Sequence, residues 1–408
     1  MDGGAAALSY PKRCPGSGGI VQHLPAAVPM KLSCSKSALA AAFGTVSGVV
    51  PARSPKEILK NVKLALPGGG DPATLSGTDQ EIGVRAQLAE VESGSTGELL
   101  LPTARFGQIL REVPSDTIEL ELTDEALMVR AGSSEFNLQT EDPEQFPDVA
   151  DFDKKVGDDA VYFTTPAKVM HAAIQRTIFA VSQESARYAL GGVQVEAGPD
   201  GMTFASTDGR RLAVVTAPCE VHGGGEDGVE PVKGIIPQKA MQLLDRSIND
   251  PDAVVKLAIQ QNEAIVDVGS ATIEARLVDG HFPDYKRVIP DSTSKQLDMV
   301  VSPLIAAVKQ AMIVTSDESR GVNFLFDDGT LTLTSSAADV GRSTIQLPID
   351  YQAEALEITF DPKFLVDFLR VLGNEDAVRV ELNDSDKAGV FKAGGDYTYV
   401  VMPLQRDR

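Results

Sequence analysis

Two aspartates that follow threonine, Asp79 and Asp208, are the residues whose type and position could most directly support catalysis. A carboxyl group in a turn can act as a general acid, but it more often accepts hydrogen bonds from the backbone of its own turn. Neither His171 nor His281 lies near a candidate nucleophile in sequence. The chain also contains no phosphate-binding, zinc-protease or nucleophile-elbow motif. The sequence therefore gives no positive indication of catalysis.

Cysteine and histidine usage argues against a metal centre or a disulfide framework. The three cysteines, Cys14, Cys34 and Cys219, lie far apart and form no C-x-x-C pair. Unpaired cysteines of this kind are typical of proteins in a reducing cytosol, so we expect a cytoplasmic protein. The four histidines show no metal-ligand spacing. We expect neither a metal ion nor another cofactor.

The overall charge limits the possible partners. The 408 residues include 37 lysines and arginines and 58 aspartates and glutamates, which gives a formal net charge of -21. A chain this acidic could bind a polyanion only through a locally basic surface. No stretch approaches the ~20 consecutive apolar residues that a membrane helix needs. At roughly 100–200 residues per domain, the length favours two to four domains.

The first 29 residues differ in composition from the rest of the chain. They are rich in glycine, alanine and proline. The adjacent cations Lys12 and Arg13 are not followed by the apolar run of a secretory signal. We expect residues 1–29 to be a disordered or wrongly assigned extension, with Met30 as a candidate for the natural start.

The order of predicted elements recurs three times. Each unit begins with a short apolar strand and a helix of small residues, and its second helix follows Pro102, Pro237 or Pro362. Proline suits the start of a helix because the first N–H groups have no partner there. Residues 117–122 and 377–382 alternate apolar and polar side chains, as half-buried antiparallel strands do. We predict three α+β domains of one topology, each with antiparallel sheets and two helices, at residues 30–157, 158–294 and 295–408.

The predicted helices carry the opposite charge to the rest of the chain. Together they have a net charge of +7, which leaves -28 elsewhere. Apolar stripes such as Met170, Ile174 and Ile178 face a core, so the basic residues lie on the solvated faces. This segregation predicts a surface that meets phosphates, although solvated faces without a ligand would share the pattern. The six helix windows are 36–53, 101–113, 164–182, 237–248, 302–314 and 361–372.

Several segments resemble one known family. Residues 277–288, LVDGHFPDYKRV, resemble the signature of the bacterial DNA polymerase III sliding clamps. Residues 206–213, Arg187-Tyr188 and residues 399–404 resemble its other landmarks in the same order, and the similarity runs from Met30 to about Leu404.

The resemblance implies a DNA clamp fold of three repeated domains. Two subunits would close head to tail into a ring, with helices lining the hole. The implied function is to encircle duplex DNA and tether the replicative polymerase, which gives processivity without bond chemistry, so the chain would not be an enzyme. The implied partners are double-stranded DNA, a second copy of the chain, the polymerase III catalytic subunit, the clamp loader and repair polymerases.

The same resemblance assigns DNA contacts. The matching positions are Arg53, Tyr188 and Lys239, and Arg176 joins them as a cation of the basic helix faces. Gln238 and Ala189 depart from the family pattern. Because the ring must slide, we expect phosphate contacts without base readout.

The resemblance also implies a cleft between the second and third domains, where partner proteins insert a short motif with apolar anchors. Arg210 and Gln405 depart from the family pattern, so the preferred motif could differ. The matching positions are Leu190, Thr207, Gly209, Arg211, Leu212, Pro283, Arg287, Val288, Val400, Met402, Pro403 and Leu404.

The implied subunit joint brings Arg105 and Ile109 of the first domain against Ile313 and Val314 of the third. For Ile109, burial in the core of its own domain is an equally good interpretation. Two other functions stay open at this stage: an interaction scaffold of clamp fold that does not encircle DNA, and a hydrolase that uses Asp208 with a histidine.

Overall fold

The structure, a computed structural model, describes residues 30–123, 126–149, 151–157, 160–184, 188–224, 229–373 and 376–404. The predicted extension, residues 1–29, lies outside these ranges. Within them, no helix is long and apolar enough to cross a membrane. The helices are α1 (Lys36–Ser47), α2 (Thr103–Glu112), α3 (Phe152–Val156), α4 (Ala167–Thr177), α5 (Gln238–Ser247), α6 (Val301–Met312) and α7 (Pro362–Arg370).

The strands follow the predicted triple repeat. The first unit contains β1 (Lys31–Ser35), β2 (Asn61–Leu66), β3 (Ala73–Thr78), β4 (Ile82–Leu88), β5 (Val91–Ser93), β6 (Gly97–Pro102), β7 (Thr117–Leu122), β8 (Leu127–Ala131) and β9 (Ser134–Leu138). The second contains β10 (Tyr162–Pro166), β11 (Gly192–Gly198), β12 (Gly201–Thr207), β13 (Arg211–Ala217), β14 (Glu220–His222), β15 (Val232–Pro237), β16 (Val254–Ile259), β17 (Glu263–Asp267) and β18 (Ala271–Arg276). The third contains β19 (Lys295–Val300), β20 (Val322–Asp327), β21 (Thr330–Ala337), β22 (Gly341–Pro348), β23 (Leu356–Phe360), β24 (Ala377–Leu382), β25 (Gly389–Ala393) and β26 (Tyr397–Val401).

All six predicted helices are present, but the first is shorter than its window. Helix α1 ends at Ser47, whereas the prediction extended it to Arg53. Pro51 explains the difference, because it cannot donate a backbone hydrogen bond and disfavours helical geometry at the residue before it. Arg53 therefore lies in an exposed loop and not on a helix.

Helix α3 is an additional helix that the sequence analysis did not predict. Asp151 caps its start by accepting a hydrogen bond from the backbone N–H of Lys154, at 3.0 Å. Gly157 ends it with a φ of 81°, a conformation that favours glycine. The capping aspartate and the terminal glycine are both visible in the sequence. A helix of five residues is, however, too short to show the repeating apolar pattern from which the other helices are predicted.

All strand pairs in the described residues are antiparallel, and they form four sheets. A nine-stranded sheet joins the first two units where β4 pairs with β18, and we call this the first seam. An eight-stranded sheet joins the second and third units where β13 pairs with β26, which we call the second seam. A five-stranded sheet ends at β9 and a four-stranded sheet ends at β22.

The helices pack on one face of the joined sheets. Helices α1 and α5 contact the nine-stranded sheet, and α4 and α7 contact the eight-stranded sheet. Their apolar sides enter a hydrophobic core that extends through all three units. We call the opposite face of these two sheets the outer face. The linkers between units pass over it, with α3 near the first seam and the short 3-10 helix Tyr285–Val288 near the second.

Candidate functional site

Arg211 is the central side chain at the second seam. Its Nε donates to Asp208 Oδ2 at 3.0 Å, Nη1 donates to Asp367 Oδ2 at 2.8 Å, and Nη2 donates to the carbonyl oxygen of Phe179 at 2.6 Å. The other oxygen of Asp208 accepts from the backbone N–H groups of Arg210 and Arg211. The carboxylate of Asp208 thus stabilises its own turn and holds Arg211. These contacts support a structural role for Asp208 and not that of a general acid.

Aromatic rings complete the environment of Arg211. Its guanidinium lies 4.5 Å from the ring centre of Phe364 and 5.4 Å from that of Phe179, within the range of cation–π attraction. Phe368 stacks on Tyr399 at 4.6 Å. Burial raises the pKa of Tyr399, so its hydroxyl stays protonated and donates to the carbonyl oxygen of Phe364. Only 9% of Arg211 is exposed. The resemblance assigns this residue to the cleft, and the structure places it beneath the cleft.

The outer face of the second seam is apolar. Leu212 of β13 lies opposite Val400 of β26. Both are buried, and they form a cluster with Ala205, Val390 and Tyr285. Because residues opposite each other on neighbouring strands share a face, this cluster forms a continuous apolar floor across the seam. We call this floor and the residues around it the docking cleft.

Large apolar side chains remain accessible at the rim of the docking cleft. Val288 is 47% exposed and Met402 is 43% exposed. The backbone of Met402 is fixed because its N–H donates to the carbonyl oxygen of Arg210 at 2.8 Å. Phe282 packs edge-on against Tyr285. The rim can therefore bury an apolar side chain of a partner without a change in the fold.

The turn between β12 and β13 shapes one end of the cleft. The hydroxyl of Thr207 donates to the carbonyl oxygen of Arg211 and accepts from the N–H of Gly209. Gly209 has a φ of 88°, which strains any residue with a side chain. Both predicted cleft residues thus hold the turn in place.

The remaining predicted cleft residues lie around the same surface. Arg287 is exposed and pairs with Asp284 at 2.8 Å. Pro283 is exposed and Leu190 is half-buried. Pro403 and Leu404 are half-buried at the end of the described chain, and Gln405 lies outside the described residues.

Two of the predicted DNA contacts form ion pairs between units. Lys239 of α5 donates to Asp79 Oδ2 at 2.6 Å and to the carbonyl oxygen of Val49 at 3.0 Å, both in the first unit. Arg176 of α4 pairs with Asp396 of the third unit at 3.2 Å. These contacts tie the second unit to both neighbours. A DNA phosphate would have to compete with a carboxylate for either cation.

Other helix cations are exposed, and no described residue forms an ion pair with them. These cations contribute to the positive charge of the predicted helices, but the resemblance assigns DNA contacts to other positions. Tyr188, which it did select, begins the short 3-10 helix Tyr188–Leu190. The exposed, unpaired helix cations are Arg105, Arg111, Lys168, Arg246, Lys309, Lys363 and Arg370.

The residues predicted for the subunit joint differ in accessibility. Ile313 follows α6 and is 75% exposed, and Val314 is half-buried. Arg105 is exposed on α2, whereas Ile109 is only 7% exposed and already packs in the core of its own unit. Ile109 therefore has little surface left for a partner to cover.

A histidine–carboxylate pair links α4 and α5. His171 Nδ1 lies 2.7 Å from Asp245 Oδ1, and Gln175 donates to the other oxygen of Asp245. In the part of the chain that the structure describes, no group of three or more His, Cys, Asp and Glu side chains could hold a metal ion.

Three family models match the chain in the order of its repeats. They describe the N-terminal, central and C-terminal domains of the DNA polymerase III beta subunit, and they match residues 30–150, 164–284 and 286–405. The beta sliding clamp of Escherichia coli K12 is 30% identical over 379 residues, which cover 92% of this chain and all of the relative. That of Chlamydia trachomatis is 30% identical over 380 residues, which cover 92% of this chain and 87% of the relative.

Solved structures show the same fold. The DNA polymerase III subunit beta from Pseudomonas aeruginosa superimposes with a TM-score of 0.82 at 28% identity, over 92% of this chain and all of that one. The DNA polymerase sliding clamp from Bacillus subtilis gives 0.84 at 22% identity, over 93% of this chain and all of that one, and so supports the fold alone. By fold and by sequence, then, the chain belongs to the family of bacterial DNA polymerase III beta subunits, the beta sliding clamps.

Proposed function

We propose that two copies of this chain close head to tail around duplex DNA and tether the replicative polymerase to its template. The ring would hold the polymerase by topology, so no tight or sequence-specific DNA contact is needed. The observation that carries the proposal is that β9 and β22 have no partner strand on one side among the described residues, at the positions that pair across the two seams. The pattern of the seams would therefore continue there into a second copy.

Burial distinguishes the free edge from its counterparts inside the chain. β4 and β13 share one burial pattern, with five of seven residues buried. β22 is the equivalent strand of the third unit, yet none of its eight described residues is buried. β9 corresponds to β18 and β26, and like β22 it has no neighbouring strand on one side in the described part of the chain. An open edge invites pairing with another strand.

The two seams have the same register, which predicts the register between subunits. At the first seam Gly83 lies opposite Glu274, and at the second Leu212 lies opposite Val400 in the equivalent position.

The strand pairings within each unit transfer this register to the free edges. They place Arg342 of β22 in the position of Gly83 and Leu212. They place Asn137 of β9 in the position of Glu274 and Val400, the residues that lie opposite Gly83 and Leu212 at the seams. We therefore propose that Arg342 of one copy faces Asn137 of the other.

Cysteine cross-linking tests this register. Directly opposite residues on antiparallel strands have Cα atoms about 4.5–5.5 Å apart, which suits a disulfide. We expect Asn137→Cys combined with Arg342→Cys to give a covalent dimer under mild oxidation. The control pairs Asn137→Cys with Thr344→Cys, two residues farther along the same face, and should remain uncross-linked. Equal cross-linking of both pairs, or none in either, would refute the proposed joint.

The unpaired helix cations support the DNA role. They lie on the helices, whose apolar sides pack against the joined sheets. Apart from Arg105, which the resemblance assigns to the subunit joint, six of them are exposed without a described carboxylate partner. Each could attract a phosphate without first losing an ion pair. Base readout is not expected, since it would slow sliding.

Topology provides the decisive DNA experiment. The cross-linked dimer, closed by oxidation in the presence of a nicked circular plasmid, should stay with the plasmid at high salt and leave when a restriction enzyme linearises it. Equal loss from circular and linear DNA would contradict encirclement and favour a scaffold that binds partners only.

The docking cleft fits a short partner segment with apolar anchors. Burying one leucine or phenylalanine side chain contributes about 1.5–3 kcal/mol. We propose that the polymerase III catalytic subunit, the clamp loader and other replication and repair proteins compete for this surface.

We also infer that the chain has no catalytic role of its own and works in the cytoplasm. The carboxylates of Asp79 and Asp208, the sequence candidates for catalysis, each accept backbone hydrogen bonds within a turn. Cys34 and Cys219 are free thiols, as is usual in a reducing compartment. We propose domain boundaries near residues 157 and 294, within the two linkers.

A further inference from the structure

A second recess lies beside the docking cleft, on the outer face of the same sheet. Its volume is about 320 Å³, and it is bounded by β15, the turn between β16 and β17 and residues 276–282. One row of paired residues joins the two sites: Ala205 of the cleft floor lies opposite Gln194, and Gln194 lies opposite Ile235 of the recess. Since strands are about 4.8 Å apart, the sites are about 10 Å from each other.

The two sites share a wall, formed by residues 280–283. On the cleft side, a Cβ atom at Gly280 would lie 3.1 Å from the Cβ of Ala189, next to the cleft residue Leu190. Phe282 lines the recess and also packs against Tyr285 of the cleft floor. An extended segment bound in the cleft could therefore continue into the recess without leaving the surface.

The recess contains more cations than acids. Lys233 and Arg276 line it together with the imidazole of His281 and a single carboxylate, Asp279. Lys233 and Arg276 are exposed, and no residue in the described ranges forms an ion pair with either. The side-chain amide of Asn262 adds a further hydrogen-bond donor. In a chain with a net charge of -21, two unpaired cations beside a docking cleft favour an acidic ligand.

We propose that this recess binds an aspartate or glutamate of the same partner segment whose apolar anchors occupy the docking cleft. Lys233 and Arg276 would form charge-assisted hydrogen bonds with that carboxylate. The inference rests on the proposed docking function, and it adds a charge preference to the apolar preference of the cleft. Partners with acidic residues next to their anchors would outcompete partners without them.

Peptide binding tests this proposal. The probes are fluorescein-labelled peptides that share an anchor segment of two leucines and a phenylalanine and carry three aspartates or three asparagines at one end, with both ends tried. We expect the unsubstituted dimer to bind one aspartate peptide about threefold to tenfold more tightly than its asparagine counterpart. Lys233→Gln with Arg276→Gln should abolish that preference and leave the affinity for the asparagine peptide unchanged.

A matched variant separates the recess from general electrostatics. Lys56→Gln with Arg111→Gln changes the net charge equally on the first unit, and it should keep the full aspartate preference. A preference that persists without Lys233 and Arg276, or that is absent from the unsubstituted protein, would overturn the proposal. Failure of all the peptides to bind would instead refute the docking function itself, so the two failures are distinguishable.

Discussion

The two seams share strand order and register, yet the central residue pairs on their outer faces differ in polarity. At the first seam the central pair is Gly83 and Glu274, and at the second the same positions hold Leu212 and Val400. At the first seam a glycine and a carboxyl side chain stand beside the apolar cluster of Phe152, Val156, Ala258 and Ile265, whereas two aliphatic side chains occupy the centre of the second. The repeated fold therefore provides two equivalent positions, and the cross-strand pair at the centre of each differs in polarity.

The linker between the first and second units contacts both residues of the polar pair at the first seam. Lys155 of α3 lies 3.3 Å from Glu274 Oε2 and 3.2 Å from Glu263 Oε2. Burial raises the pKa of the Glu274 carboxyl, and the Lys155 charge opposes that rise. Val149 fills the space above Gly83, where a Cβ atom would lie 3.0 Å from it. A linker therefore packs on the outer face of both seams, through Lys155 and Val149 at the first and through Tyr285 at the second.

At each seam a cation of the second unit forms an ion pair with the neighbouring unit, and the two cations differ in burial. Lys239 reaches from the second unit back to Asp79, and its side chain remains 45% exposed. Arg211 reaches from the second unit forward to Asp367, and its side chain is 9% exposed. Because a desolvated charge depends on its partners far more than a solvated one does, we expect the two ties to differ in energy.

The largest effect should come from removing the buried tie. Arg211→Ala would remove the buried cation that pairs with Asp208 and Asp367, and it should lower the free energy of unfolding by about 3–5 kcal/mol. Lys239→Ala should cost about 1 kcal/mol or less, because water can replace it. Urea unfolding followed by circular dichroism measures both. Equal losses would show that the two seams are energetically alike.

Next in size is a change that fills the first seam. A Cβ atom at Gly83 would lie 2.6 Å from Glu274 Oε1 and 2.9 Å from its Cγ, so Gly83→Ala should destabilise the protein by about 1–3 kcal/mol. Gly44→Ala is the matched control, since nothing lies within 4 Å of its new Cβ and alanine favours helix α1 by about 0.5–1 kcal/mol. Thermal unfolding should move in opposite directions for the two variants, and a parallel shift would contradict the steric argument.

A smaller effect is expected for the exposed rim of the second seam. Met402→Ala or Val288→Ala should weaken binding of the fluorescein-labelled anchor peptide about tenfold, because each removes apolar surface that a bound segment would cover. Val254→Ala removes a valine that is 58% exposed on β16, and it should leave the affinity unchanged. Fluorescence anisotropy compares the three variants. A similar loss in all of them would mean that the rim has no special role.

The smallest effect concerns the pH dependence of stability that Glu274 contributes at the first seam. The folded-state pKa of Glu274 is raised above its ordinary value of 4.5, so the native state holds the proton to a higher pH than the unfolded chain does. The contribution of this group to stability is therefore greatest below that value and decreases as the pH rises through the folded-state pKa. Glu274→Gln should remove this pH dependence. An unchanged pH profile in the variant would assign the dependence to other groups.

Much of the fold was predictable because it depends on local patterns. Prolines at helix starts and the two-residue alternation of β7 and β24 placed these elements within a few residues. The end of α1 was wrong because small apolar residues continue past Ser47, although Pro51 stops the helix. Helix α3 was missed because it is only five residues long.

The site was less predictable, because ionic partners come from distant parts of the chain. The sequence shows Lys239 and Arg176 as helix cations like any others, and only the folded chain brings Asp79 and Asp396 to them. The burial of Arg211 could not be foreseen either, since Asp367 lies 156 residues away in sequence.

By itself, the sequence determined the triple repeat, the basic helices and the family, because periodicity, composition and short motifs are properties of neighbouring residues. Within the described ranges, tertiary structure alone decided which cations form no ion pair, which strand edges stay open and which residues meet at the centre of each seam. Those properties depend on pairs of residues that only the packing of whole units brings into contact.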